Sequence, residues 1–209
     1  MQPLLKGLPR LLISSRSVIS SFQKSLPPSR TISRLRVPSE SELSESTRQL
    51  ISKHHGDNWV RAFALNEDTT RRFVTYYEDL FGARGGRLPL QERELIAVVT
   101  SAANGCGFCR ANHTLGLAAA GNDKIRAKRI ALDHHLVPDL SDRERALADL
   151  AEKLTLTPRE VGQEDFVRLR EVGFADEDIL EAVETISWFN HSNRICIALG
   201  IVPDARYFE

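Results

Sequence analysis

The chain has 209 residues, 42% of them hydrophobic, with 28 Lys and Arg set against 28 Asp and Glu. That length and apolar fraction suit one globular domain with a tail, and a net charge of zero implies no polyanion partner for the chain as a whole. Three cysteines, two of them in a single Cys-x-x-Cys, are too few for a secreted disulfide scaffold.

Residues 1–39 contain seven basic residues, nine serines and no Asp or Glu, which leaves 21 basic against 28 acidic residues in the remainder. An Arg- and Ser-rich, acid-free N-terminus is the pattern of a mitochondrial transit peptide. Arg30-Thr-Ile-Ser33 is a candidate processing neighbourhood, and the matrix is the expected destination. Leu11-Leu12-Ile13 is too short for the roughly 7–15-residue apolar core of a secretory signal. A basic arm for nucleic acid is the competing reading, weakened because Phe22 alone interleaves the charges. The longest apolar stretch elsewhere, Leu95–Val99, falls far short of the ~20 residues that span a bilayer. The expectation is a disordered targeting segment over 1–39 and a soluble, intracellular helical domain over 40–209, with neither nucleic acid nor membrane as partner.

Helix signals follow one another from residue 40. A first short helix is expected around Thr47-Arg-Gln-Leu-Ile51. Asn66-Glu-Asp caps the next, whose Phe73, Val74, Tyr77, Leu80 and Phe81 keep helical spacing and which Gly82 and Gly85-Gly86 end. Pro89 opens a segment whose apolar run from Leu95 to Ala103 implies burial on most faces. Asn104-Gly105 is a turn signal, and a further helix runs on to Gly121. Asn122-Asp123 starts a charged helix ending near His134-His135, Ser141-Asp-Arg-Glu144 is a capping box, and Thr157-Pro158 is read as the next helix start. The last long helix runs from Asp176 to Leu199, before Gly200 and Pro203. No alternating strand pattern competes. The fold class is all-α with about seven or eight helices.

The chemistry is concentrated in Cys106-Gly-Phe-Cys109 and His113, with Glu94 upstream. Cys109 and His113 are spaced i, i+4 and share a helix face, and a thiol beside an imidazole near a helix N-terminus is expected to ionise readily. In one straight helix Glu94 would lie about 18 Å from Cys106, out of reach. A reversal at Asn104-Gly105 instead sets Glu94 beside His113, giving a relay in the order Glu94, His113, Cys109, Cys106. A structural zinc site competes, but such sites usually take four Cys or His ligands and no second Cys-x-x-Cys exists. A thioredoxin-like fold would require a βαβ pattern that is absent. Two buried structural thiols are the remaining plain reading. Cys196 is expected to be a buried free thiol, His54-His55 solvated, and His134-His135 surface imidazoles at a helix end. Asn190, His191, Asn193 and Arg194 interrupt an apolar helix, and either a pocket wall or hydrogen bonds between helices or subunits explains them.

The spacing of Glu94, Cys106, Cys109 and His113, with Leu90–Asn104, Asn190–Arg194 and Leu199–Pro203 around it, resembles the alkylhydroperoxidase D and carboxymuconolactone decarboxylase superfamily, in particular its peroxidase-related branch. The likeness spans roughly residues 55–205. Phe108 departs from members that carry a histidine before the second cysteine, so no histidine role is carried to that position. The resemblance implies an alkylhydroperoxidase D-like helical bundle that forms homo-oligomers. It also implies a thiol-dependent hydroperoxidase with no metal or organic cofactor, whose second cysteine, here Cys109, reacts with the peroxide. Cys106 would then resolve the sulfenic acid as a disulfide, with His113 and Glu94 moving protons. A lipoyl- or thioredoxin-type donor would restore the thiols. The alternatives are a disulfide reductase or adaptor passing electrons to another peroxidase, and a γ-lactone decarboxylase, which needs no thiol pair.

Overall fold

Side chains placed just ahead of the apolar runs set four of the helix starts in the computed structural model, which describes residues 32–82 and 86–209. Ser44 accepts from the Thr47 N–H to open α1 (Glu45–Lys53), and Asn66 accepts from Thr69 to open α3 (Glu67–Phe81). Between them lies α2 (Asn58–Phe63), a short helix that the sequence reading missed. α4 (Leu90–Ala103) and α5 (Gly107–Gly121) follow, then α6 (Lys124–Leu132), opened by Asp123. The Ser141–Glu144 capping box begins α7 (Asp142–Leu156) as expected. Caps of this kind are worth ~1 kcal/mol each. Among the described residues the eight helices longer than α2 match the expected number, and there is no strand.

One start differs. Thr157-Pro158 opens only a 3-10 turn, Pro158–Glu160, and α8 (Gln163–Glu171) begins later. The Thr157 hydroxyl is spent on the carbonyl of Lys153, closing the preceding helix. Asp165 instead accepts from the Gly162 N–H at 2.8 Å, and the charged acceptor makes the stronger cap. α9 (Asp176–Leu199) is the longest element and ends at Gly200, which takes φ +61°.

α4 is the axis on which the site depends. Arg93 through Ser101 are buried without a break, and the helix packs against α5, α6, α7 and α9. Its Leu95, Ile96, Val98 and Val99 join Leu117, Ile130, Leu147 and Ile186 in one core cluster. Each such side chain contributes about 1.5–3 kcal/mol by leaving water. A second cluster is aromatic, with Trp59, Phe63, Phe73, Trp188 and Phe189 packed around all three cysteines.

The reversal between α4 and α5 falls at Asn104-Gly105, where Gly105 takes φ +68°. Asn104 donates to Asn190 Oδ1 at 3.1 Å and Asn193 Oδ1 at 3.0 Å, which fastens the turn to α9. Asn193 Nδ2 continues to Ser101 Oγ at 3.0 Å, and Arg194 bonds the carbonyl and side-chain oxygens of Asn190. Asn190 and Asn193 therefore serve inter-helix bonding and Arg194 braces Asn190 within the same helix, while His191 is exposed and lies against Trp188.

Residues 1–31, most of the expected targeting segment, lie outside the described residues. Residues 32–39, grouped with that segment in the sequence reading, run beside the end of α9. Arg34 N–H donates to the Leu199 carbonyl at 2.7 Å and the Val202 N–H to that of Ile32 at 3.2 Å. Among the described residues no helix is long and apolar enough to cross a membrane.

Candidate active site

Glu94 on α4 and His113 on α5 meet because the two helices run back to back from the Asn104-Gly105 turn. The imidazole Nδ1 lies 2.8 Å from Glu94 Oε2, and both residues are buried. A glycine makes the approach possible. A Cβ on Gly116, one turn beyond His113, would stand 2.4 Å from Glu94 Oε1, so the carboxylate occupies space that any other residue would fill. Phe189 meets the imidazole edge-on at 4.7 Å between ring centres and Phe81 at 5.6 Å. With Nδ1 committed to the carboxylate, Nε2 is the nitrogen left for chemistry.

The three cysteines are all free and all buried. Cys106 is the N-cap of α5 and Cys109 the third residue inside it, with its sulfur 3.7 Å from Ser192 Oγ on α9. Cys196 lies one turn along the same face of α9. The expected single buried thiol is thus part of a cluster of three.

That clustering reverses the expected order of acidity in the resting dithiol. Cys106, not Cys109, is pulled well below the ordinary thiol range, because the Cys109 and Cys196 thiols stabilise its thiolate. The Cys109 amide and the charge of His113 help, against the cost of burial. The helix N-terminus it occupies favours the anion as well. Cys109 is pushed up chiefly by giving its proton toward Cys106, with burial adding to the rise. Cys196 is pushed up by the same two neighbours and by burial. The helix end is thus where the cluster favours a thiolate.

A cavity of about 260 Å³ opens onto this cluster. Cys109, His113, Ser192 and Cys196 line it, whereas Cys106 is not among its walls. Trp59, Phe73, Tyr77 and Trp188 supply aromatic walls, and Lys53, His54, His55 and Arg206 contribute polar ones. Burial and the nearby Glu94 raise the Tyr77 phenol above its usual range.

The histidines outside the motif do not all sit where expected. His54, expected in water, bonds Glu78 Oε1 at 3.1 Å and meets Trp59 edge-on at 5.1 Å. The unforeseen α2 folds Trp59 back over it. His134, expected on the surface, is buried with Asp149 Oδ1 at 3.4 Å, while His135 is exposed and bonds Glu152. Among the described residues the group whose atoms are close enough to share a metal ion is Asp133, His134 and His135, none of them in the thiol site.

Sequence reasoning also missed the closure of the cavity by the C-terminus. Buried Asp57 accepts from Arg206 Nε at 2.9 Å and from the Tyr207 hydroxyl at 2.6 Å. No local pattern announces a contact between residues 149 and 150 positions apart.

Residues 67–153 match the model of the carboxymuconolactone decarboxylase family. An uncharacterized protein of Bacillus subtilis (strain 168), YdfG, is 35% identical over 111 residues, which is 52% of this chain and 73% of that protein. The crystal structure of an alkylhydroperoxidase AhpD core, an uncharacterized peroxidase-related protein of Ralstonia eutropha JMP134, superposes with a TM-score of 0.80 at 33% identity, covering 85% of this chain and 95% of that one. A second uncharacterized peroxidase-related protein, from Silicibacter sp. TM1040, gives a TM-score of 0.78 at 28% identity, covering 88% and 97%.

Proposed function

This chain belongs to the alkylhydroperoxidase D and carboxymuconolactone decarboxylase superfamily, in its peroxidase-related branch, and from that premise we propose that it is a thiol-dependent hydroperoxidase. The observation that carries the proposal is a cavity with a thiol, Cys109, and a carboxylate-paired imidazole, His113, in the same wall. Catalysis starts with the cluster holding one thiolate, at Cys106. Cys109 faces the cavity and attacks the terminal peroxide oxygen as its own proton passes to Cys106. The S–O bond forms, the O–O bond breaks, and the leaving alkoxide takes a proton from His113, which Glu94 orients. Cys106 then attacks the Cys109 sulfenic acid. The disulfide forms, the S–O bond breaks, and hydroxide leaves with the Cys106 proton as water. The sum is one peroxide and two thiols to one alcohol, one water and one disulfide.

Burial bears on the choice between peroxidase and disulfide adaptor. Cys106 and Cys109 are 1% and 2% exposed, so a small peroxide reaches them far more readily than a folded protein disulfide does. A slender dihydrolipoyl arm that can enter the cavity is accordingly the favoured reductant. The test is peroxide consumption with free thiols counted before and after. Two thiols lost per peroxide in the wild type and none in Cys109→Ser is the expected result; peroxide loss that survives Cys109→Ser would sink the reading.

The acid-free segment 1–39 supports a second proposal, import into the mitochondrial matrix. Fused to a fluorescent reporter, it should carry the reporter into mitochondria. A diffuse cytosolic signal would refute the targeting reading and leave the chemistry untouched.

A further inference from the structure

The proposed cycle uses two of the three sulfurs, and Cys196 is left over. A buried cysteine in an apolar helix is ordinarily a small hydrophobe and nothing more. Three observations set this one apart. It lines the cavity together with Cys109, while the expected resolving thiol Cys106 does not. It lies one helical turn from Ser192, whose hydroxyl is 3.7 Å from the Cys109 sulfur, so the face of α9 that carries Cys196 is the face turned to Cys109. All three cysteines belong to one packed cluster with Trp188 and Phe189.

We propose that Cys196 is a second disulfide partner for Cys109, taking the sulfenic acid from the cavity side while Cys106 takes it from the helix end. The inference rests on the peroxidase reading for its physiological oxidant. The step is a condensation: the Cys196 sulfur attacks the sulfenic sulfur, the S–S bond forms, the S–O bond breaks, and hydroxide leaves with the Cys196 proton as water. Cys106 then attacks the Cys109 sulfur of that disulfide, forming the Cys106–Cys109 bond and returning the thiol to Cys196. No further oxidant enters. A sulfenic acid flanked on both sides by thiols is also short-lived, which keeps a second peroxide from driving it to the sulfinic acid.

The test removes Cys106, leaving two of the three thiols. Cys106→Ser and Cys106→Ala, both checked by circular dichroism, are treated with hydrogen peroxide and, separately, with diamide, an azo oxidant that takes the two hydrogens of a thiol pair. The expected result with either oxidant is loss of both thiols within one chain, a peptide cross-link between Cys109 and Cys196, and no sulfenic-acid adduct with dimedone. Cys106→Ser/Cys196→Ser treated with peroxide should give the Cys109 adduct instead. Two thiols persisting under diamide, cross-links only between chains, or a stable dimedone adduct on Cys109 of the single variants would overturn the proposal. Wild-type protein inert to peroxide would overturn the peroxidase reading, and the diamide arm would still decide whether Cys109 and Cys196 pair.

Discussion

Replacing Gly116 with alanine adds one carbon at the closest approach between α4 and α5. That carbon would lie 2.4 Å from Glu94 Oε1 and 2.5 Å from its Cδ, where contacts below 3.0 Å essentially never occur. The carboxylate must therefore retreat by at least ~0.6 Å, and by about 1 Å to reach ordinary contact. The bond at stake is the 2.8 Å contact of Glu94 Oε2 with His113 Nδ1. A misplacement of about 1 Å in a catalytic array costs on the order of 10²-fold. We expect kcat/KM for peroxide to fall about ten- to a hundredfold, which corresponds to ~1.4–2.7 kcal/mol of transition-state stabilisation. Stability should change little, because alanine favours the helix by about 1 kcal/mol over glycine and offsets part of the strain. The assay is steady-state peroxide reduction across pH, with thermal melting as the control. Glu94→Asp in the same background shortens the side chain by about one bond, ~1.5 Å, and should return part of the lost rate. A folded Gly116→Ala protein with unchanged rate and pH profile would show that the Glu94–His113 contact contributes nothing to turnover.

Glu94→Gln keeps the shape of the side chain and removes its charge, and peroxide reduction should fall ten- to a thousandfold with the fold retained, since one acid–base partner typically contributes 10²–10⁴; a normal rate would make Glu94 purely structural. The thiol cluster predicts a stability maximum near the ordinary thiol pKa, about 8.5. Cys106 is lowered in the folded state, so its contribution is present above the unfolded pKa and is lost as pH falls towards the folded one. Cys109 and Cys196 are raised, so theirs is present below the unfolded pKa and is lost as pH rises through it. Denaturant melts of the reduced protein across pH should show both limbs, with the acid limb weakened in Cys106→Ser; a flat profile would mean that the sulfurs do not share one charge. Asp57→Asn strips Arg206 of its ionic partner and should cost about 1–3 kcal/mol in chemical denaturation, and an unaltered midpoint would mean that the C-terminal latch is dispensable.

The site itself shows where local pattern suffices. Apolar spacing, caps and breakers are properties of neighbours in the chain, so the all-α class and most helix starts follow from them. The reversal at Asn104-Gly105 is local too, and it turns α5 back along α4, where the space left by Gly116 lets Glu94 meet His113. Even the failed start at Thr157 has a local cause, a hydroxyl already committed to the helix behind it.

What the sequence could not determine rests on contacts between residues far apart in the chain. Cys196 joins the thiol pair only when α9 packs on α5, where its thiol adds to the larger effect of Cys109 in lowering Cys106. Asp57, Arg206 and Tyr207 close the cavity across nearly the whole domain, and α2 turns His54 from a solvated residue into a wall. The polar residues of α9 read as fastening rather more than as pocket wall, and only Asn104 lying opposite them decides it. Residue type and spacing along one helix state which groups share a face. Which face a group turns to, and which distant sulfur, carboxylate or ring waits there to shift its ionisation, is decided by the packing of the helices against each other.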